Sequence, residues 1–353
     1  MDAAPKRSAR PGAAGRWAAR GRGAASTLLG GLATLFGLAI LTFIIGRTMP
    51  IDPVLAIVGD KATPEVEARI REALGLDRSL LVQFWIYLRD LLQGDLGRSV
   101  MTGDPVTQDI MRFFPASLEL ATSAMVLALL FGIPLGILAA AHQNSFFDNA
   151  MRVIGLLGYS VPVFVLALIC LLVFYAQLGI APGTGAQGII YQGMVPHRTG
   201  MITVDAALDG QWGAFWDALS YLAMPAILLA FITLSMIVRM TRAFMLEALS
   251  GEYIVTARAK GLSKTRILWR HGLGNVAGRL FTVLAVIYAS LLEGTVLTET
   301  VFSRPGLGLY LTRSLLNADM NAVLGATLVI GVVYVTLNLL ADLAQRLLDP
   351  RAR

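Results

Sequence analysis

The stretch LELATSAMVLALLFGIPLGILAAA, residues 118–141, contains a single charged residue, Glu119. A helix of this length is about 36 Å long at 1.5 Å per residue, enough to cross roughly 30 Å of hydrocarbon. Backbone groups in lipid have no water to pair with, and a helix satisfies them within the segment. The stretch therefore predicts a transmembrane helix.

The rest of the chain has the same character. Of the 353 residues, 56% are hydrophobic and 15% charged, and the mean hydropathy is +0.67, far from the roughly quarter-charged composition of soluble domains. Further apolar runs occur at residues 25–45, 153–178, 219–238, 280–297 and 322–340. The predicted fold class is an all-α polytopic membrane protein with six transmembrane helices.

The first apolar run follows a basic leader, residues 1–24, and could be mistaken for a cleavable signal. Apolar cores of signal peptides are about 7 to 15 residues long, and no small-x-small cleavage site precedes Arg47 at the right distance. We interpret residues 25–45 as a retained first transmembrane helix. Residues 46–117 are then an extracytoplasmic segment, in which Thr63-Pro64-Glu65 starts one short helix that Gly75 ends, and residues 80–92 form a second with an apolar face.

The positions of lysine and arginine predict the orientation. Of these 29 residues, 18 lie in the leader, the link after span two, the link at 239–279 and the tail at 346–353. The two short links on the opposite side contain Arg198, Arg304 and Arg313. Both termini are therefore predicted to be cytoplasmic, and the net charge of +6 requires no nucleic-acid partner, because positive-inside topology and anionic lipid account for it.

Residue types that build metal and redox centres are scarce. Cys170 is the single cysteine, and His142, His197 and His271 lie in different loops. This pattern offers no disulfide, haem, zinc or iron-sulfur site, and it predicts no cofactor on this chain and no catalytic centre.

The inner link at residues 239–279 is the most informative stretch for function. Leu246, Leu249, Tyr253 and Ala257 recur at helical spacing and predict a helix over residues 245–260 outside the bilayer. Gly261 ends it, and Ser263 can cap a second short helix that runs to residue 270. From periodicity alone, a docking helix-turn-helix and an inward continuation of the flanking spans with solvated basic faces are equally good interpretations.

The sequence EYIVTARAKGLSKTRILWRHGLGN, residues 252–275, resembles the cytoplasmic loop of permease subunits in binding-protein-dependent ABC importers, in the dipeptide, oligopeptide and nickel branch. Three other stretches are similar to that branch and cover most of the chain after the leader. They are LGLD with GDLG at 74–77 and 94–97, ETVFSRPGLG at 299–308, and NLLAD with LDPR at 338–342 and 348–351.

The resemblance implies a type I ABC importer permease in the bacterial inner membrane, with a five-helix core at 118–345 and a coupling element at 245–272. It implies that Glu252, Tyr253, Ala257, Arg258, Lys260 and Gly261 contact or shape the contact with a cytoplasmic ATPase. Its partners would be two ABC ATPase subunits, a second homologous permease and an extracytoplasmic solute-binding protein. No Gly-x4-Gly-Lys-Ser/Thr loop occurs in the sequence, so ATP and magnesium would bind the ATPase partners.

Glu293 is an ionisable residue inside a predicted span, which makes it a candidate for the translocation pathway. The alternative is an interfacial position where its carboxylate reaches water or a neighbouring helix. The rival function for the whole chain is an ion-coupled secondary transporter, which would usually show internal repeats and more buried ionisable groups. The identity of the transported solute is left open between peptides, nickel complexes, opines and related compounds.

Overall fold

The computed structural model describes residues 13–48, 54, 63–73 and 76–348. Within them the chain is helical, and the sole β-type pairing is an isolated bridge between Arg98 and Pro105. The helices are α1 Ala13–Thr48, α2 Pro64–Ala73, α3 Leu80–Leu92, α4 Val106–Ala141, α5 Phe146–Ser160, α6 Val163–Cys170, α7 Ile202–Leu208, α8 Trp212–Leu249, α9 Glu252–Ala259, α10 Lys264–Arg266, α11 Leu273–Phe302, α12 Leu307–Leu316 and α13 Met320–Leu348. A π-helical turn, Leu171–Gln177, extends α6, and another, Ile267–Gly272, joins α10 to α11.

The six predicted spans correspond to five long helices and one bent pair. The five are α1, α4, α8, α11 with its preceding turns, and α13. The predicted continuous helix at 153–178 is instead bent by 97° between Phe146–Gly158 and Val163–Gln177. Pro162 immediately precedes α6 and has no N–H to continue the hydrogen bonds of α5, which explains a break at this position.

Several boundaries differ from the prediction. Helix α1 begins at Ala13, inside the predicted leader, and α4 begins at Val106 rather than at 118 because it also traverses the end of the outer segment. The short outer helices are present as α2 and α3. Residues 1–12 of the leader, Leu74 and Gly75, and residues 349–353 of the tail lie outside the described residues.

The centre of the bundle is the pair α4 and α8. Leu120, Ala124 and Ala128 on α4 pack with Leu222 and Leu229 on α8 in the largest buried apolar cluster. Close approach depends on small residues: a Cβ added to Gly136 would lie 2.6 Å from Cβ of Thr241. Helices α4 and α8 therefore stay in contact as far as the inner side, where the link at residues 239–279 begins.

Candidate functional site: the inner hairpin and a polar path through the helices

The inner link forms a helical hairpin that starts directly where α8 ends. The single helix predicted over 245–260 is wrong, because Met245 to Leu249 complete α8 and the chain breaks at Ser250 and Gly251. Gly251 has an extended backbone and precedes α9, whose first turn contains Glu252. We call residues 252–266, from the start of α9 to the end of α10, the inner hairpin.

Gly261 ends α9 as predicted, through its backbone conformation. Its φ is +74°, a left-handed region that L side chains adopt at a cost. The Gly261 N–H donates to the carbonyl of Arg258 at 2.9 Å, and the Leu262 N–H donates to that of Ala257 at 3.2 Å. These two bonds are a Schellman motif, and they fix the angle at which the chain leaves α9.

The interior of the inner hairpin is apolar. Ile254, Ala257 and Ile267 are buried against one another, with Leu249 and Leu262 packed beside them. Ala257, predicted at the contact with the ATPase, is 6% exposed and faces this interior. Its small side chain therefore serves the packing of the two helices rather than an exposed surface.

The other predicted contact residues lie on the outside of the hairpin. Glu252, Tyr253, Arg258, Lys260 and Gly261 are all exposed. Between them Val255, an apolar side chain, is 64% exposed. The surface thus combines apolar, aromatic and charged groups on a short, sharply turned element, which suits insertion into a groove of another protein.

The second half of the hairpin continues into the membrane. The Ser263 hydroxyl accepts from the Arg266 N–H at 3.4 Å, which confirms it as a cap. The predicted separate helix to residue 270 is wrong, because α10 passes through the π-helical turn Ile267–Gly272 directly into α11. Gly272 in this turn faces Met245 of α8, whose Cε would lie 2.7 Å from an added Cβ. The turn that follows the hairpin is therefore continuous with α11 and packed against α8.

Ion pairs anchor the helices that lead into the hairpin. Arg279 on α11 binds Glu247 on α8 at 2.8 Å, and its guanidinium lies 5.1 Å from the ring centre of Phe244. Asp148, at the start of α5, binds Arg242 of α8. The bent span and the two helices that flank the hairpin are thus joined on the inner side.

Glu293 is exposed on α11 at a small cavity between α4, α11, α12 and α13. Phe114 and Tyr334 line the same cavity. Elsewhere on α11, the hydroxyl of Tyr288 lies 2.8 Å from that of Thr122 on α4.

A buried polar cluster at the outer end was missed by the sequence prediction. Glu119 on α4 accepts from Arg304, and also from the Thr203 N–H at 2.8 Å. Glu299 on α11 accepts from the Gly308 N–H at 2.7 Å and so caps α12. Arg304 is 1% exposed and Glu299 is fully buried. Glu119 and Glu299 therefore lie within spanning helices, as Glu293 does.

Comparison with known proteins agrees with this architecture. Residues 132–353 match a family model described as the inner membrane component of binding-protein-dependent transport systems, and residues 25–121 match the model for the N-terminal part of such membrane components. Both parts of the chain, including the inner hairpin, therefore have counterparts in one kind of transport protein.

Individual relatives agree with the family match. The probable D,D-dipeptide transport system permease protein DdpB of Escherichia coli K12 is 43% identical over 317 residues, 89% of this chain and 92% of that protein. The di/tripeptide transport system permease protein DppB of Pseudomonas aeruginosa is 38% identical over 321 residues, 91% and 95% of the two chains. The dipeptide transport system permease protein DppB of Alkalihalophilus pseudofirmus is 36% identical over 319 residues, 90% and 95%. The chain belongs to the family of inner membrane components of binding-protein-dependent transport systems, and it is a multi-pass permease subunit of an ABC importer.

Proposed function

We propose that this chain is one membrane-spanning half of an importer for short peptides, driven by ATP hydrolysis on two separate ATPase subunits. A second homologous permease completes the pathway, and an extracytoplasmic binding protein delivers the peptide. The curated relatives named above are described as dipeptide or di/tripeptide permeases, which supports a peptide as cargo.

The observation that carries the proposal is the inner hairpin. Its apolar interior and the left-handed Gly261 hold it in one shape, while Tyr253, Val255 and Arg258 are exposed for contact. In this proposal ATP-driven closure of the ATPase pair moves the docked hairpin as a rigid body. The π-helical turn, Ile267–Gly272, and the end of α8 pass that motion to the spanning helices, which open the pathway outward.

The pathway itself is proposed to run past Glu293. Short peptides carry a free ammonium group at neutral pH, and a carboxylate on an exposed helix face attracts it. Glu293, which is exposed and lines a cavity with residues of α4 and α13, would provide this contact for a peptide. Magnesium and ATP belong to the ATPase partners in this scheme.

The test is transport by the complex purified in mild detergent through an affinity tag on this chain and reconstituted into liposomes. We expect uptake of labelled dipeptide that requires ATP, the ATPase subunits and the binding protein together. Vesicles that contain the same complex with an ATPase variant unable to hydrolyse ATP are the matched control, and they should take up no peptide above background.

The rival, an ion-coupled transporter, makes the opposite prediction. Vesicles that contain this chain without ATPase partners would accumulate peptide under a proton or sodium gradient alone. Gradient-driven uptake at the rate of the full complex would overturn the proposal.

A further inference from the structure

A cavity unrelated to the hairpin and to Glu293 lies at the outer end of the first span. It has a volume of ≈ 320 Å³ and is enclosed by the end of α1, by α3 and the loop after it, and by the start of α13. The cavity beside Glu293 is lined from a different part of α13, Ile330 to Tyr334, and from α4 and α11. The two cavities are therefore separate sites.

The walls of this outer cavity combine apolar and charged groups. Leu324 and Leu328 of α13 contribute apolar surface, and Arg47, Asp90 and Asp95 contribute charge. Arg47 lies in the last turn of α1, where its guanidinium is 5.5 Å from the ring centre of Phe43. No carboxylate among the described residues pairs with Arg47, and its side chain lines the cavity.

The carboxylates on the other walls are only partly engaged. Asp95 accepts from the Gly97 N–H through Oδ1 at 2.8 Å, and Asp90 pairs with the exposed side chain of Arg89. The cavity thus offers one cation from α1 and carboxylates from α3 and the loop that follows it. A ligand that carries an anion and a cation a few bonds apart matches this arrangement of charges.

The surroundings favour a lipid as that ligand. Leu41, Ile44 and Ile45 near the end of α1 are exposed apolar side chains on a spanning helix, and Trp85 on α3 is 66% exposed. Such surfaces face acyl chains, and arginine and tryptophan at the end of a span lie at the level of the headgroups. A phospholipid of the outer leaflet can therefore reach the cavity without leaving the bilayer.

We propose that this cavity binds the headgroup of a zwitterionic phospholipid, phosphatidylethanolamine, with the phosphate on Arg47 and the ammonium toward Asp90 and Asp95. The bound lipid fills the space between α1, α3 and α13. This assignment is independent of the peptide pathway, because it concerns the opposite side of α13.

The experiment counts lipids that remain on the assembled complex by native mass spectrometry after delipidation and addition of equal amounts of phosphatidylethanolamine and phosphatidylglycerol. The wild type should retain phosphatidylethanolamine in preference to phosphatidylglycerol. Arg47→Gln should reduce its retention about tenfold, the effect expected when one charge-assisted contact is lost. Arg112→Gln is the matched control, since Arg112 is an exposed outer arginine 5.8 Å from the Phe113 ring centre and outside the cavity, and it should change nothing.

A second variant keeps the test valid if Arg47→Gln does not fold. Val100 lines the cavity from the loop and is 44% exposed, so Val100→Trp fills the space with little disturbance of the helices and should also reduce the retention of phosphatidylethanolamine. Equal retention of the two lipids, or unchanged retention in both variants, would overturn the proposal. Displacement of the lipid by millimolar Ala-Ala would overturn it as well, because the cavity would then be a peptide site.

Discussion

Asp148, at the start of α5, accepts two hydrogen bonds from the guanidinium of Arg242 on α8, from Nε to Oδ1 at 2.5 Å and from Nη2 to Oδ2 at 2.8 Å. The Asp148 side chain has no solvent exposure. Removal of Arg242 leaves a buried carboxylate without its main partner. We expect Arg242→Ala to lower the stability of the complex by about 3–5 kcal/mol, measured as a lower Tm in detergent.

The chain offers a matched control for this variant. Arg152 binds the same carboxylate at 3.1 Å, but its side chain is 50% exposed. Arg152→Ala should cost at most about 1 kcal/mol, because water replaces an exposed partner readily. Equal losses in the two variants would mean that the α5 to α8 link is not carried by Arg242.

Gly261 should tolerate asparagine better than alanine. Its φ of +74° costs an alanine about 1 kcal/mol or more, whereas asparagine enters the left-handed region more easily. No heavy atom lies within 4 Å of an added Cβ, so the backbone alone decides the result. We expect Gly261→Ala to reduce peptide uptake per ATP hydrolysed in proteoliposomes, and Gly261→Asn to reduce it less.

Gly274 provides the control for this glycine. It lies near the start of α11, has no unusual φ, and also has no neighbour within 4 Å of an added Cβ. Gly274→Ala should be neutral or slightly stabilising, since alanine favours a helix. A loss of coupling as large as that of Gly261→Ala would contradict the role given to the turn.

Substitutions at exposed positions of the inner hairpin should weaken ATPase binding, whereas substitutions at buried positions should lower stability. Arg258 is exposed, so Arg258→Glu should weaken binding of the ATPase subunits about tenfold and leave the Tm of the chain unchanged. Ala257 is buried, so Ala257→Leu should overpack the interior and lower the free energy of unfolding by about 1–3 kcal/mol, which appears as a lower Tm. Affinity capture of the ATPase and thermal melting of the same preparations measure both effects. A stable Ala257→Leu chain that loses the ATPase would instead place residue 257 in the docking surface.

Replacement of Glu293 should discriminate between peptides by their charge. Glu293→Gln removes a carboxylate and keeps the shape, so uptake of free dipeptides should fall several-fold more than uptake of N-acetylated ones. Competition between the two labelled peptides in one vesicle preparation measures this. Glu72→Gln changes an exposed carboxylate of α2 with no assigned role and should affect neither peptide. Equal loss for both peptides in Glu293→Gln would remove Glu293 from the pathway.

The outer loop that leads to α8 should lose stability in acid. Burial raises the pKa of Asp205, but hydrogen bonds from the Thr199 hydroxyl at 2.7 Å and from the N–H groups of Thr199, Arg198 and Gly200 outweigh it, and the net pKa lies below the usual 3.8. The stability that the carboxylate contributes is complete above that usual value and is lost as the pH falls through the lowered pKa. Asp205→Asn should lower the free energy of unfolding by about 1–3 kcal/mol at pH 7.

The pH dependence of the difference checks the mechanism. The gap in Tm between wild type and Asp205→Asn should narrow as the pH falls below about 4, since both side chains are then uncharged. Asp209→Asn, which affects a partly exposed ion pair with Arg198, should shift the Tm little at any pH. A gap that stays constant from pH 7 to acid would exclude the charge of Asp205 as its cause.

Hydropathy was sufficient to find the spans, because each apolar run must be long enough to cross the bilayer. Hydropathy could not show whether a span is straight or bent. The apolar composition of residues 153–178 is the same in a straight helix and in one bent by 97°, and only Pro162 signals the break. At the inner link, helical periodicity continued across Ser250 and Gly251, so the break there was hidden by apolar residues that belong to two different helices.

The buried charges were missed for another reason. Glu119 and Arg304 are each unusual in an apolar environment, but the sequence does not record that they meet. Arg304 and Glu299 stand in the stretch ETVFSRPGLG that resembles other permeases, and this was the available signal. Which partner each charge takes depends on tertiary packing between helices far apart in the chain.

The bond between Glu119 and Arg304 also constrains how the protein is made. The two residues are 185 positions apart, so Glu119 emerges from the ribosome long before Arg304 exists to neutralise it. Until then the Glu119 carboxylate lacks its cationic partner, and an unpaired charge within a span is costly. The outer end of the bundle can therefore be completed only after residue 304 has been synthesised, and a chain that stops short of it keeps an unmatched charge within a span.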